Sequence, residues 1–250
     1  MDPGTLAAMV ATGAATGVGG LVLLGVPDPS ERLLAVLLGF TAGVMLAATA
    51  FSLLVPGLEA GGVAEVLAGF LVGAAVLLAL DVVIPHAHVR LRERGHPTLG
   101  ETPEQRRATL LLAALTVHNV PEGLAVGLAF GAGGPDAGIP VALAIGIQNV
   151  PEGFAAAAPL LSAGVSRAKA ALVALGTGAV EPVAAVLAYA GTDLVGGLLP
   201  FGYGFAGGAM LYVVVDELIP ESHGTGYERP ATVAMLGGFA LLLALDNGLA

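Results

Sequence analysis

Apolar residues dominate long stretches of this chain, and polar residues interrupt them at fairly regular intervals. Runs long enough to cross about 30 Å of hydrocarbon at about 1.5 Å per residue occupy 5–26, 33–55, 63–84, 109–131, 139–162, 168–190, 199–220 and 230–249. The pattern predicts an all-α integral membrane protein with eight transmembrane helices, a single transmembrane domain over 1–250 with one short cytoplasmic loop over 85–108. Gly and Pro recur inside these runs, which membrane helices tolerate because neighbouring helices re-satisfy the freed backbone groups. The start, Met1-Asp2-Pro3-Gly4, has no basic n-region, so the first run reads as a retained helix.

The distribution of charge orients these helices. All nine basic residues fall in alternate connections: Arg32 in the first, Arg90, Arg92, Arg94, Arg106 and Arg107 in the third, Arg167 and Lys169 in the fifth, Arg229 in the seventh. By the positive-inside rule both termini face outward and the third loop is cytoplasmic. Composition agrees, with 56% hydrophobic and 11% charged residues and a mean hydropathy of +0.89. A soluble domain folded round one core is excluded. The net charge of −10 offers no basic surface to a nucleic acid, and the absence of cysteine restricts any metal site to nitrogen and oxygen ligands.

A constant offset of 165 residues relates the first three predicted helices to the last three. Thr12-Gly13-Ala14 recurs as Thr177-Gly178-Ala179, Gly39-Phe40 as Gly204-Phe205, and Met45-Leu46 as Met210-Leu211. Leu77-Leu78-Ala79-Leu80-Asp81 recurs whole at 242–246. Each copy lies five helices from its mate, an odd number, so the two run in opposite directions. This is an inverted repeat of helices 1–3 and 6–8 around central helices 4 and 5.

Those central helices carry the chemistry. His118-Asn119-Val120-Pro121-Glu122-Gly123 and Gln148-Asn149-Val150-Pro151-Glu152-Gly153 stand 30 residues apart, each within an apolar run. A charged side chain at mid-bilayer costs about 2.5–3.5 kcal/mol on insertion scales, so a Glu there needs a partner. His118 and Glu122, like Gln148 and Glu152, are four apart and share a helix face, with Asn119 and Asn149 a step round. The repeat breaks at one place: Thr16-Gly17 of the first copy is answered by Glu181-Pro182 in the second, a third carboxylate in an apolar span. A polar network between helices is the alternative reading, but three carboxylates in one layer repel unless protonated or bound to a cation. Pro121 and Pro151 also free the carbonyls of Val117 and Ile147 beside the cluster.

With these features assembled, the chain resembles the ZIP family of divalent-metal transporters, in its GufA-like bacterial branch. The resemblance rests on the eight spans, the inverted order, the paired Asn-x-Pro-Glu-Gly blocks and Glu181-Pro182. It implies one metal held by His118, Glu122, Gln148 and Glu152, and a second held by Asn119, Asn149 and Glu181 with the Glu122 and Glu152 carboxylates bridging. It also implies a bacterial cytoplasmic (inner) membrane location. Gln148 stands where many members have His, and Asn149 where some have Asp, which implies weaker binding and looser discrimination between metals.

On the cytoplasmic side, Asp81, His86 and His88 end the third helix, and Asp216, Glu217, Glu221 and His223 end the seventh. In the family this region receives the departing metal, which makes Asp81, His86, His88, Asp216, Glu217 and His223 candidate exit-path ligands. Met45 could offer a soft sulfur, but core packing is its simpler role. The expected activity is movement of divalent metal ions into the cytoplasm with no cofactor: zinc first, with Fe2+, Mn2+ and Cd2+ kept open. The bilayer is the expected surroundings, and a homodimer is left open. An intramembrane metal-dependent hydrolase would need His-Glu-x-x-His, which the chain lacks. A sensor or scaffold would need a domain outside the membrane, and the connections are short.

Overall fold

The computed structural model describes residues 1–26, 29–93, 103–194 and 196–248, all as helices and short connections. In order these are α1 (Pro3–Val22), α2 (Glu31–Ala47), α3 (Val55–Ala60), α4 (Val63–Glu93), α5 (Pro103–Ser162), α6 (Arg167–Gly178), α7 (Val180–Leu194), α8 (Leu199–Val213), α9 (Ile219–His223) and α10 (Glu228–Gly248). Asp2 starts α1 by accepting from the Gly4 and Thr5 amides, and the Thr5 hydroxyl holds its carboxyl below the usual range. Seven helical runs among the described residues are long and apolar enough to cross a membrane. Exposed Leu and Val on α4 and α10, such as Leu71, Leu78, Val233 and Leu236, suit contact with lipid.

The boundaries depart from the sequence reading in four places. The predicted fourth and fifth helices form one long helical run in α5, 60 residues, interrupted at Gly134 with φ 63 and ψ −155. Pro135 drives the preceding residue out of the α region, and glycine alone takes a positive φ without strain. The sixth predicted helix is divided at Ala179 into α6 and α7. The second and seventh each contain a π-helical stretch, Ala48–Leu54 after α2 and Val214–Leu218 after α8. Finally, most basic residues expected in connections stand on helix ends, because backbone hydrogen bonding continues past the apolar run: Arg90 and Arg92 in α4, Arg106 and Arg107 in α5, Arg167 and Lys169 in α6. Most of the 85–108 loop lies outside the described residues.

Two sets of helices divide the work. α5 lies against α1, α6 and α7, while α4 lies along α8 and α10 along α2. Both sets approach through glycine. An added methyl at Gly39 or Gly43 would strike the carbonyl of Ala231 or Met235; one at Gly204 or Gly208 would strike that of Val66 or Phe70. All four glycines and their four partners are related by the 165-residue offset. Gly73 against Phe205 is likewise matched by Gly238 against Phe40, and Gly13 and Gly178 meet each other's carbonyls. Small residues let membrane helices approach to backbone contact, where dispersion replaces the missing hydrophobic drive. Arg167 ties α6 to the end of α1, donating to the carbonyls of Leu23 at 3.0 Å and Val26.

Candidate metal centre

Glu122 and Gln148 are 26 residues apart, about 39 Å along a straight helix, yet they are hydrogen bonded. The two halves of α5 therefore double back at Gly134 and bring the two blocks face to face. α7 completes the layer through Glu181, and α1 through Thr12 and Thr16. His118, Asn119, Glu122, Gln148, Asn149, Glu152 and Glu181 are at most 3% exposed. Among the described residues the only buried acidic or histidine side chains are His118, Glu122, Glu152 and Glu181, all on α5 and α7.

Amides and carboxylates bind one another. Gln148 Nε2 donates to Glu122 Oε1 at 2.5 Å and to Asn149 Oδ1. Asn149 Nδ2 donates to Glu181 Oε2 at 2.7 Å and to the Thr12 carbonyl at 3.0 Å. Glu122 lies within the electrostatic field of Glu152 and Glu181, and Glu152 within that of His118. No three His, Asp or Glu side chains among the described residues are drawn together as a bound ion would hold them.

The polar accounting is incomplete in one region alone. Among the described residues, the buried side-chain atoms without a partner are Thr16 Oγ1, His118 Nδ1, both amide atoms of Asn119, Glu122 Oε2, Gln148 Oε1, Glu152 Oε2 and Glu181 Oε1. Every one belongs to this layer. Buried polar groups in hydrocarbon are ordinarily satisfied. Oxygens from six residues and one imidazole nitrogen left free in one place make a donor set suited to a divalent cation, with mixed N and O ligands fitting Zn2+ and oxygen-rich shells fitting harder ions.

The exit-path residues fall differently. Glu217, expected at a helix end, accepts from His118: its Oε1 lies 2.7 Å from His118 Nε2, and its side chain is 25% exposed. The π-helical stretch Val214–Leu218 re-aims its side chains relative to an unbroken α-helix. It thereby brings Glu217 to the central layer. Asp81 and Asp216 are exposed and converge on Tyr212. His223 is turned towards α10, with Nδ1 3.0 Å from the Ile219 carbonyl and Nε2 3.0 Å from Thr232 Oγ1. The side chains of His86 and His88 lie outside the described residues.

Sequence reasoning missed Thr12, whose carbonyl holds Asn149, and Thr41, whose hydroxyl donates to the Gln148 carbonyl at 3.4 Å. The repeated Thr-Gly-Ala triplet was the available signal for the first; nothing in the sequence marked the second.

A family model described as ZIP zinc transporter matches residues 95–246. The chain is 42% identical to the zinc transporter GufA of Myxococcus xanthus over 100% of both chains. It is 40% identical to the zinc transporter ZIPB of Bordetella bronchiseptica, over 94% of this chain and 78% of that one. It is 33% identical to the zinc transporter ZupT of Corynebacterium aurimucosum over 97% of each.

Proposed function

The chain belongs to the ZIP family of zinc transporters, and we propose that it carries Zn2+ into the cytoplasm through the buried polar layer of α5 and α7. The family is one of transporters and not of enzymes, and the relatives of highest identity above are named for zinc. The single observation that carries the site is the set of unpartnered buried atoms, all in one layer. One ion is held by His118, Glu122, Gln148 and Glu152; a second by Asn119, Asn149 and Glu181, with Glu122 and Glu152 shared. Carboxylates that repel when empty are drawn together by the charge of the ion. Fe2+, Mn2+ and Cd2+ are secondary cargoes, since N and O ligands discriminate by geometry more than by type.

The same proposal reads α5 as two spans divided at Gly134, giving eight in all, within a single transmembrane domain. The paired glycine contacts at a constant offset support an inverted repeat around α5. The basic residues support an inner-membrane orientation with both termini outside. Asp81, Asp216 and Glu217 line the way out, Glu217 being the group that reaches back to His118. The test is flux: the purified full-length chain in vesicles, with Zn2+ detected inside by dye or radiolabel. Metal-dependent accumulation supports the reading; vesicles no more permeable to Zn2+ than protein-free ones overturn it.

A further inference from the structure

The two blocks share Asn-Val-Pro-Glu-Gly but not their surroundings. Asn149 is engaged by Gln148, Thr12 and Glu181. Asn119, 1% exposed, has no partner for either amide atom. The facing helices make the difference. A methyl at Gly123 would strike the Glu181 carbonyl, and one at Gly153 would strike the Thr16 carbonyl. So α7 at Glu181 meets the first block as α1 at Thr16 meets the second, and the two residues are 165 apart. From Glu181 the side chain crosses to Asn149 of the other block. By the same offset the counterpart of that crossing would run from Thr16 to Asn119, and a threonine is too short to complete it.

Thr16 is unusual among the buried threonines. Thr12, Thr49 and Thr177 each return their hydroxyl to a carbonyl three or four residues back, the ordinary refuge in a helix. Thr16 Oγ1 is buried, with Thr16 only 2% exposed, and makes no such bond. Its neighbour across the helix contact is Gly178, where a methyl would come 3.0 Å from Oγ1. The hydroxyl thus lies beside Gly178, with the Thr16 carbonyl against Gly153 of the second block, and its lone pairs are unspent.

We propose that the Thr16 hydroxyl is a further oxygen ligand of the second of the two cations, acting with Asn119 Oδ1 and Glu122 Oε2. This rests on the central layer being the metal site. With Asn149 and Glu181 these oxygens form a position without imidazole, which suits ions of higher coordination such as Mn2+ better than Zn2+. Glu181 holds by charge; Thr16 completes a shell, so it tunes which ion is accepted more than how tightly the layer binds.

The experiment compares wild type, Thr16→Val, which keeps the shape without the hydroxyl, and Thr16→Ser, which keeps the hydroxyl. Uptake of Mn2+ and Zn2+ into vesicles holding the full-length chain is measured together with equilibrium binding of each ion to the purified protein. Thr16→Val is expected to weaken Mn2+ binding and uptake about tenfold, the low end of what loss of a supporting group costs a metal site, with Zn2+ changed much less. Thr16→Ser should restore the Mn2+ value. An unchanged Mn2+-to-Zn2+ ratio in Thr16→Val overturns the proposal, as does an equal loss of both ions that Ser fails to rescue, which would assign Thr16 to packing. If Glu122→Ala binds and carries both ions like wild type, the reading of the layer itself fails instead.

Discussion

The helices that hold the polar layer and the helices that frame it both approach through glycine, but they bury different chemistry. α5 and α7 bury His118, Glu122, Glu152 and Glu181, groups that are unfavourable in hydrocarbon and incompletely partnered. α2, α4, α8 and α10 bury no acidic or histidine side chain among the described residues, and they meet through glycines set against backbone carbonyls. Stability in the frame comes from close packing, which any added atom disturbs. In the layer, the proposed function depends on groups whose interactions are unfinished, so removing one is expected to harm transport more than folding. That contrast makes separable predictions.

Its sharpest test is Glu122→Ala or Glu152→Ala, which should reduce Zn2+ uptake by about a hundredfold or more while the helical content and melting temperature of the purified protein hold, since each Glu is a net insertion cost without an ion. Wild-type uptake in either variant would remove that residue from the site.

The frame should respond the other way. Gly43→Val and Gly208→Val each drive a side chain into a carbonyl of the facing helix and should destabilise by about 1–3 kcal/mol, the usual range for overpacking. Residual folded protein should retain the wild-type preference among ions. Thermal unfolding in detergent measures the first effect and competition uptake the second; a changed ion preference would show that frame and layer are not separable.

Acidity tests the layer through its ligands. Metal ligands must be deprotonated to bind, so protons compete with the cation. Zn2+ binding should weaken about tenfold as the pH falls from about 7 to about 5, the range in which imidazole ordinarily titrates and towards whose lower end carboxylates begin to protonate. Binding that is level across this range would mean that the ion is held by backbone and amide oxygens instead.

The smallest expected change distinguishes the two blocks. Gln148→His replaces a carbonyl oxygen by an imidazole and should raise the preference for Zn2+ over Mn2+ about threefold, because imidazole suits Zn2+ and carbonyl oxygen the harder ion. An unaltered ratio in competition uptake would place Gln148 outside the ligand set, with its role confined to bracing Glu122.

Periodicity and composition were enough to read the membrane class, the approximate spans and the two polar blocks, because a bilayer demands long apolar helices and makes buried charge conspicuous. The constant offset between Gly39, Gly43 and Gly204, Gly208 was legible as well, although not what those glycines touch. Helix ends were less legible: the apolar pattern stops where lipid stops, whereas backbone hydrogen bonds carry α4 on to Glu93. The break at Gly134 could be located as a Gly-Pro pair, but only the folded chain revealed that it sets Glu122 against Gln148. Contact across helices depends on register and on the π-helical stretch before Ile219, neither of which a linear pattern encodes. For that reason the ionisable groups in the membrane can be read from the chain alone, whereas it takes the packed helices to set Glu217 against His118, to engage Asn149 but not Asn119, and to leave the buried Thr16 hydroxyl without a partner.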